Sequence, residues 1–173
     1  MLEDTRGKQW LKFVLGIILP ASLAIAISIA SVYLFVIPSF EKSFLQSKKD
    51  MIRELTNVAW SVMELYEQEE RKGRLTRTEA QQKALAEIEH LRYGEGFRDY
   101  FWISDMQPKL IMHPYSKELI GDDLSTYEDA TGKRVFMEIK NAVSDRTSSF
   151  IDYVWSRKYD TEQDVPKLSY VKR

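Results

Sequence analysis

One histidine stands where its side chain could bind a ligand. His113 ends an apolar segment and is followed by Pro114 and Tyr115. Imidazole changes charge near neutral pH, so it can hold an anion through a charge-assisted hydrogen bond. The alternative is a partly buried histidine that bonds only to the backbone, and the sequence leaves both interpretations open. The other histidine, His90, is interpreted as a surface residue of a helix.

The residues around the two histidines do not form a pattern typical of an enzyme. The lack of cysteine excludes disulfides, Cys-ligated zinc and thiol catalysis. We find neither a Gly-x-Ser-x-Gly nucleophile elbow nor a His-Glu-x-x-His zinc motif. Glu87 and Glu89 flank His90, but their spacing does not place all three side chains on one helical face. We therefore expect no catalytic residue, no metal and no cofactor, and we rank a membrane-anchored enzyme last among the candidate functions.

Aromatic and cationic residues elsewhere in the chain could belong to the same site as His113. Tyr100 and Trp102 are two residues apart in a β-prone segment and should share one face of a strand, where they line either a pocket or an ordinary core. Arg92 either closes a helix at the surface or faces a carboxylate. Lys167 and Tyr170 are three residues apart, so a regular strand would point them to opposite faces. A bulge would be needed for both to reach one ligand.

An uncharged run from Phe13 to Ile37 dominates the N-terminal part of the chain. Its 25 residues would form a helix of about 37 Å, enough to cross a hydrocarbon core of about 30 Å. A signal peptide would have a shorter apolar region and a small-residue cleavage site, whereas this run ends in large side chains. We expect a retained transmembrane helix at residues 13–37. Because residues 1–12 carry three basic residues, we expect them in the cytoplasm and residues 38–173 outside.

Residues 38–173 are predicted to form one α+β domain, a small antiparallel sheet with helices on one face. A formal net charge of −1 and a pI of about 6.2 offer no basic field for nucleic acid. The predicted elements are a helix to Lys72, a helix over 79–91 capped by Thr78, a hairpin of 100–103 with 109–113, a helix over 135–143, a strand over 149–155, a charged turn over 157–164 and a strand over 167–172. The last strand has no partner to finish the sheet, so we expect the domain to be incomplete at its C-terminus.

The first of these helices carries an apolar stripe that allows two interpretations. Its residues follow spacings of 4, 3, 4 and 3: Met51, Leu55, Val58, Val62 and Leu65. The stripe could pack against its own domain. The same spacing is also the coiled-coil pattern, which would favour a parallel homodimer through the long helix, although it extends over only about two heptads.

These landmarks, in this order, resemble the single Cache domain, the PAS-like extracytoplasmic sensor of bacterial receptors. The resemblance covers roughly residues 40–173. It is carried by Arg92-Tyr93-Gly94, Tyr100-Phe101-Trp102-Ile103, His113-Pro114, Leu119-Ile120-Gly121, Asp129 with Gly132-Lys133, and Pro166-Lys167-Leu168-Ser169-Tyr170-Val171-Lys172. Members of this family usually continue with another strand, a second membrane helix and an output module such as a histidine kinase, chemoreceptor or cyclase domain.

The resemblance implies a ligand-binding sensory domain of a bacterial membrane receptor. The implied ligand is a small organic carboxylate such as acetate, propionate, pyruvate or lactate, and the implied pocket residues are Arg92, Tyr100, Trp102, His113, Tyr115, Lys167 and Tyr170. The implied location is the bacterial inner membrane, with the main domain periplasmic or extracellular. A ligand-free dimerisation or interaction module is the alternative, and neither interpretation involves nucleic acid.

Overall fold

The computed structural model describes residues 2–157 and 160–173. They divide into two compact units at Lys48/Lys49. The first unit is entirely helical. Its elements are α1 (Leu2–Phe13), a π-helical turn (Val14–Ile18), α2 (Leu19–Ser31), a second π-helical turn (Val32–Val36) and the first residues of α3 (Ile37–Arg71).

Among the described residues, one helix, within Gln9–Arg71, is long and apolar enough to cross a membrane. Its best window has a mean hydropathy of 2.5, and none of that window is buried. Pro20 lies in the first turn of α2, directly after the π-helical turn Val14–Ile18; local π-helical adjustment is one way in which a helix accommodates a proline. The predicted helix over residues 13–37 is therefore observed as a run of helical turns without a break.

The second unit begins with the remainder of α3 and with α4 (Arg77–His90). The N-cap of α4 is Thr76, so the prediction of Thr78 is wrong. The Thr76 hydroxyl accepts from the Glu79 amide (3.3 Å), and the Glu79 carboxylate accepts from the Thr76 amide (2.8 Å). This reciprocal capping box satisfies two amides at the start of the helix and starts it two residues earlier than predicted.

The described strands form three antiparallel pairs. They are β1 (Arg92–Tyr93) with β2 (Asp99–Tyr100), β3 (Ile103–Ser104) with β4 (Leu110–Met112), and β5 (Ser148–Arg157) with β6 (Asp160–Lys172). The predicted hairpin is confirmed where Ile103 pairs with Met112. Tyr100, which we assigned to that hairpin, instead pairs with Arg92.

The β5–β6 hairpin is longer than predicted. Its register is regular from the Ser148–Lys172 pair to the Ser156–Asp164 pair, with one irregularity between Ser156 and Arg157. The predicted charged turn over 157–164 is wrong in extent, because the ladder continues to a pair between Arg157 and Asp160. Residues 158–159 of that turn lie outside the described residues.

The core of the second unit lies between α5 (Val135–Ser144) and the strands. The four residues predicted to face inward from this helix, namely Val135, Phe136, Ile139 and Val143, are all buried. With Leu110, Leu124 and Ile151, three of them form one hydrophobic cluster. The α+β class predicted from the sequence is confirmed by this arrangement.

The apolar stripe of α3 packs only in part against its own domain, because Leu55 and Val62 are half-buried and the other three residues are exposed. Met51, Val58 and Leu65 are 38%, 60% and 53% exposed, whereas Ala59 is 5% exposed. The side of α3 that contains Ala59 therefore faces the domain. A row of three apolar side chains, one every seven residues, faces away from it.

A buried carboxylate ties the loop before α5 to the β5–β6 hairpin. Asp129 is 7% exposed. Its Oδ1 accepts from the amides of Thr131 and Lys133 and from the Thr131 hydroxyl, and its Oδ2 accepts from the Val154 amide at 2.9 Å. These bonds, led by the Thr131 hydroxyl, hold the pKa of Asp129 well below its ordinary value.

We expect Asp129→Asn to lower the thermal stability of the chain and to flatten its pH dependence, because an amide cannot accept all four bonds. A depressed folded-state pKa means that the carboxylate contributes stability above its unfolded pKa of about 3.9. That contribution is lost as the pH falls toward the folded value. Thermal melts between pH 3 and pH 7 should show the loss in wild type and less of it in the variant. Exposed Asp123, with one such bond to the Ser125 amide, is the matched control; equal effects of Asp123→Asn and Asp129→Asn would contradict the prediction.

Candidate functional site

His113 is a buried residue directly after β4. Its side chain is 4% exposed. Its Nδ1 atom accepts hydrogen bonds from the backbone amides of Tyr115 (3.2 Å) and Ser116 (2.8 Å). Pro114 has no amide hydrogen, so the next two amides of the turn are the ones that reach back to the ring. The predicted backbone-bonded histidine is thus observed at Nδ1, which leaves Nε2 as the nitrogen that could meet a ligand.

Aromatic rings from three segments surround this imidazole. The Tyr100 ring lies edge-on at 4.9 Å between centroids, and the Trp155 ring lies at 6.2 Å. The Tyr115 ring meets Tyr100 edge-on at 5.0 Å. We refer to Tyr100, His113, Tyr115, Trp155 and Lys167 as the His113 cluster.

Lys167 brings a positive charge to the cluster from β6. Burial, and then the charge of Lys167, lower the pKa of His113 to about 4. The imidazole is therefore neutral at physiological pH. Burial also raises the pKa of the Tyr100 hydroxyl, which keeps it protonated and able to donate. The cluster combines one cation with neutral hydrogen-bond donors.

Arg92 contacts the cluster through Tyr115. Its Nη1 donates to the carbonyls of Glu89 (2.6 Å) and Leu91 (2.8 Å), so it closes the end of α4. The guanidinium lies 5.3 Å from the centre of the Tyr115 ring, a cation–π distance. The structure thus shows the helix-closing role of Arg92 and places its guanidinium beside a ring of the cluster. That Arg92 faces a carboxylate stays a prediction.

Trp102 lies deeper, against the core. Its ring is 5.6 Å from that of Phe136, and its side chain adjoins the Tyr153 hydroxyl. The Tyr153 hydroxyl also lies 3.0 Å from the Ser169 hydroxyl, and burial raises its pKa. Trp102 therefore reaches a polar group inside the domain.

Tyr153 and Trp155 were not among the predicted site residues. The alternation over residues 149–155 indicated that they share a strand face, but it did not indicate which face is inward. Ile151, on the same face, is 4% exposed and belongs to the core. This face of β5 therefore looks inward, and Trp155 reaches His113.

Tyr170 is not brought to the His113 cluster. It pairs with Phe150, and their rings lie 4.9 Å apart. The guanidinium of Arg53, from α3, lies 6.0 Å from the Tyr170 ring. Because the register is regular here, Lys167 and Tyr170 point to opposite faces of the hairpin, as their spacing predicted.

A cavity of about 460 Å³ adjoins the cluster. It is lined by part of the predicted site (Tyr100, Trp102 and Tyr170) together with residues of α3, α5, β3 and β6, whereas Arg92, His113, Tyr115 and Lys167 are not in its lining. Tyr100 borders the cavity and also contacts His113. A second cavity of about 660 Å³, between α3, α4 and the β3–β4 hairpin, has none of the predicted site residues in its lining.

The His113 cluster has the composition of a site for a small anion. A lysine can meet a single negative charge, while a neutral imidazole and tyrosine hydroxyls can donate to carboxylate oxygens. Aromatic walls would exclude water from around these bonds and strengthen them. Few polar groups among aromatic rings are usual in sites for small molecules.

The chain belongs to the single Cache domain family. The family model described as single Cache domain 2 matches residues 44–173. Over 126 residues the chain is 36% identical to the methyl-accepting chemotaxis protein McpP of Pseudomonas putida. This match covers 73% of the chain and 23% of McpP, so the chain spans less than a quarter of that relative.

Two solved structures share both fold and sequence with this chain. One is the periplasmic sensor domain of a chemotaxis protein, with a TM-score of 0.71, 35% identity, and coverage of 75% of this chain and 88% of that one. The other is a Cache chemosensory domain whose structure concerns carboxylic acid recognition, with a TM-score of 0.71, 35% identity and coverage of 76% and 87%. These likenesses agree with the fold and family that the sequence motifs predicted.

Proposed function

We propose that this chain is the sensing region of a bacterial chemoreceptor and that it binds a small organic carboxylate at the His113 cluster. The observation that carries the proposal is the buried His113 ring, which meets Tyr100 and Trp155 at the hairpin face on which Lys167 also lies, opposite Tyr153. The similar Cache domain studied for carboxylic acid recognition supports the ligand class. The function is sensory rather than catalytic, in line with relatives that are chemoreceptor sensor domains.

Acetate, propionate, pyruvate and lactate are the proposed ligands. Each carries a single carboxylate, which matches the one lysine of the cluster. Calorimetric titration of these acids into the full chain in lipid nanodiscs tests the function directly. We expect saturable binding of at least one acid and weaker binding of the corresponding amide, such as acetamide, which has no charge. Binding of neither acids nor amides would favour the alternative, a ligand-free interaction module.

We propose that the apolar helix anchors the chain once in the bacterial inner membrane, with the Cache domain in the periplasm. The support is the exposed, apolar helix within Gln9–Arg71 and the periplasmic location of the sensor domain in a similar structure. Protease accessibility of the domain in spheroplasts would test the orientation.

The β5–β6 hairpin offers a route from the ligand to α3. One face of the hairpin carries Lys167 and Trp155, within the His113 cluster. The other face contacts α3, because Lys172 hydrogen-bonds to Asn57 (3.0 Å) and lies over the Trp60 ring (4.9 Å). If the hairpin can take two positions, each with its own packing against α3, a ligand that binds one of them more tightly shifts the equilibrium toward it. The free energy of that shift can be no larger than the difference between the two binding free energies.

A homodimer is proposed for the exposed side of α3. Met51, Val58 and Leu65 repeat every seven residues and are exposed to solvent in the single chain. Leu55 and Val62 fall between them at coiled-coil spacing. A second copy of the same helix would cover this row, which is the second interpretation of the stripe.

We also propose that the domain continues past Arg173 with a strand that fills the 460 Å³ cavity. In the described part of the chain, β3 pairs only with β4 and β6 only with β5, and residues of both strands line this cavity. Apolar residues of α3 and α5, such as Met63 and Val143, also line it. Because this strand would be covered on both faces, we expect its sequence to be a nearly continuous run of apolar residues.

Hydrogen exchange tests this strand. In a chain extended past Arg173, we expect the edge amides of β3 and β6 to exchange much more slowly than in the 173-residue chain, because they would be paired. Amides of β5 that already bond to β6 serve as the internal control and should change little. Equal exchange of the edge amides in the two chains would rule the strand out.

A further inference from the structure

The hydrogen bonds at His113 determine which of its nitrogens can carry a proton. A backbone amide can only donate, and Nδ1 accepts from the amides of Tyr115 and Ser116. Nδ1 must therefore present its lone pair, so the proton of the neutral ring is on Nε2. A proton on Nδ1 would break both bonds in a site that is closed to water.

We propose that His113 binds the carboxylate as a neutral Nε2–H donor, and that the Tyr115 and Ser116 amides are the positioning groups that hold this tautomer. The inference rests on the proposed function, because it assigns His113 its role within the same site. It also replaces the positively charged imidazolium donor that the sequence suggested with a neutral one. The negative charge of the ligand is met by Lys167, and binding takes up no proton.

The groups that face His113 all favour its neutral form. Tyr100 from β2 and Trp155 from β5 cover the ring with uncharged aromatic surface. Lys167 from β6 is the cation whose charge opposes protonation. A second positive group, the Arg92 guanidinium, lies 5.3 Å from the centre of the Tyr115 ring, which in turn meets Tyr100. A bound carboxylate would raise the pKa of His113, but protonation would still require the 113–116 turn to open.

The other histidine is an internal reference for the tautomer. The Nδ1 atom of His90 lies 2.7 Å from the carbonyl oxygen of Ala86, which can only accept. His90 therefore carries its proton on Nδ1, opposite to His113. Because the chain has two histidines, the NMR spectrum of a chain labelled with ¹⁵N-histidine should show two distinct tautomers. The His113 signals should stay unchanged from pH 6 to pH 8.

Two substitutions of His113 test the roles of its two ring nitrogens separately. Glutamine places an amide N–H near the position of Nε2, whereas asparagine places an acceptor near the position of Nδ1. We expect His113→Asn to keep the turn and the fold but to weaken acetate binding about 10- to 150-fold, which corresponds to about 1.5–3 kcal/mol for a hydrogen bond to a charged group. His113→Gln should keep affinity within about tenfold of wild type.

Acetate titration of the full chain in two buffers of different ionisation enthalpy measures the proton uptake. We expect none between pH 6 and pH 8, and an affinity that does not change with pH in this range. Uptake of about one proton, with affinity falling as the pH rises, would mean that a charged histidine binds and would overturn this inference alone. Failure of every proposed acid to bind the wild-type chain would overturn the proposed function and, with it, the donor role of His113. Stronger binding by His113→Asn than by His113→Gln would also overturn the assignment.

Discussion

Lys167→Met is expected to abolish most of the affinity for organic acids. Methionine keeps the unbranched apolar stem but removes the charge that we propose meets the carboxylate. Truncating one partner of a buried, hydrogen-bonded charge pair costs about 2–5 kcal/mol, which corresponds to a roughly 30- to 4,000-fold increase in Kd. Calorimetric titration of acetate and pyruvate into wild type and variant measures this change.

The substitution has a second readout and a matched control. Because the charge of Lys167 helps to lower the pKa of His113, removing it should raise that pKa, and NMR can follow the shift. Lys172→Met is the control, since Lys172 is on the same strand but faces α3 through Asn57 and Trp60. Equal affinity of wild type and Lys167→Met, or equal losses in both variants, would place the ligand away from the His113 cluster.

Leu110→Ala should be among the most destabilising single substitutions in the domain. Leu110 is 1% exposed, lies on β4 and belongs to the central cluster with Phe136 and Ile151. Removing three carbon atoms there loses apolar burial and leaves a cavity, which costs about 2–5 kcal/mol of the free energy of unfolding. Denaturant unfolding of the detergent-solubilised chain, followed by near-UV circular dichroism, would measure the loss.

Leu65→Ala provides the comparison at an exposed position. Leu65 is 53% exposed on α3, so the same change should alter the free energy of unfolding by no more than about 0.5 kcal/mol. If α3 mediates a dimer, this variant should instead weaken self-association in sedimentation experiments. Similar destabilisation by Leu65→Ala and Leu110→Ala would mean that the exposed row is buried in the folded protein.

Local sequence patterns predicted several elements of the domain. The spacing of apolar residues identified all four buried positions of α5, because a helix with one packed face must repeat them every three or four residues. The same reasoning wrongly chose Thr78 as the N-cap of α4, since Thr78 and Thr76 each have a suitable partner three residues later. The negatively charged Glu79 is the better partner for Thr76, because a carboxylate is also favoured near a helix N-terminus.

The candidate site was predictable residue by residue but not as an arrangement. The position of His113 between an apolar strand and a proline marked it as a binding residue or a backbone-bonded one. The backbone bonds are observed at Nδ1, and ligand binding at Nε2 is our proposal. Its protonation could not be predicted, because the proton's position depends on amides that a particular turn directs at Nδ1. Trp155 was missed because an alternating strand does not show which of its faces meets the core.

The sequence by itself determined the apolar helix, the α+β class, the family motifs and the opposite orientation of Lys167 and Tyr170. Each of these depends on residue type and on a spacing of a few residues, which the periods of helices and strands make readable. Only the tertiary structure decided which side of α3 is packed, which face of β5 is inward and that Lys167 lies near His113. These features depend on contacts between segments that are distant along the chain, and the packing of those segments around a shared core determines them.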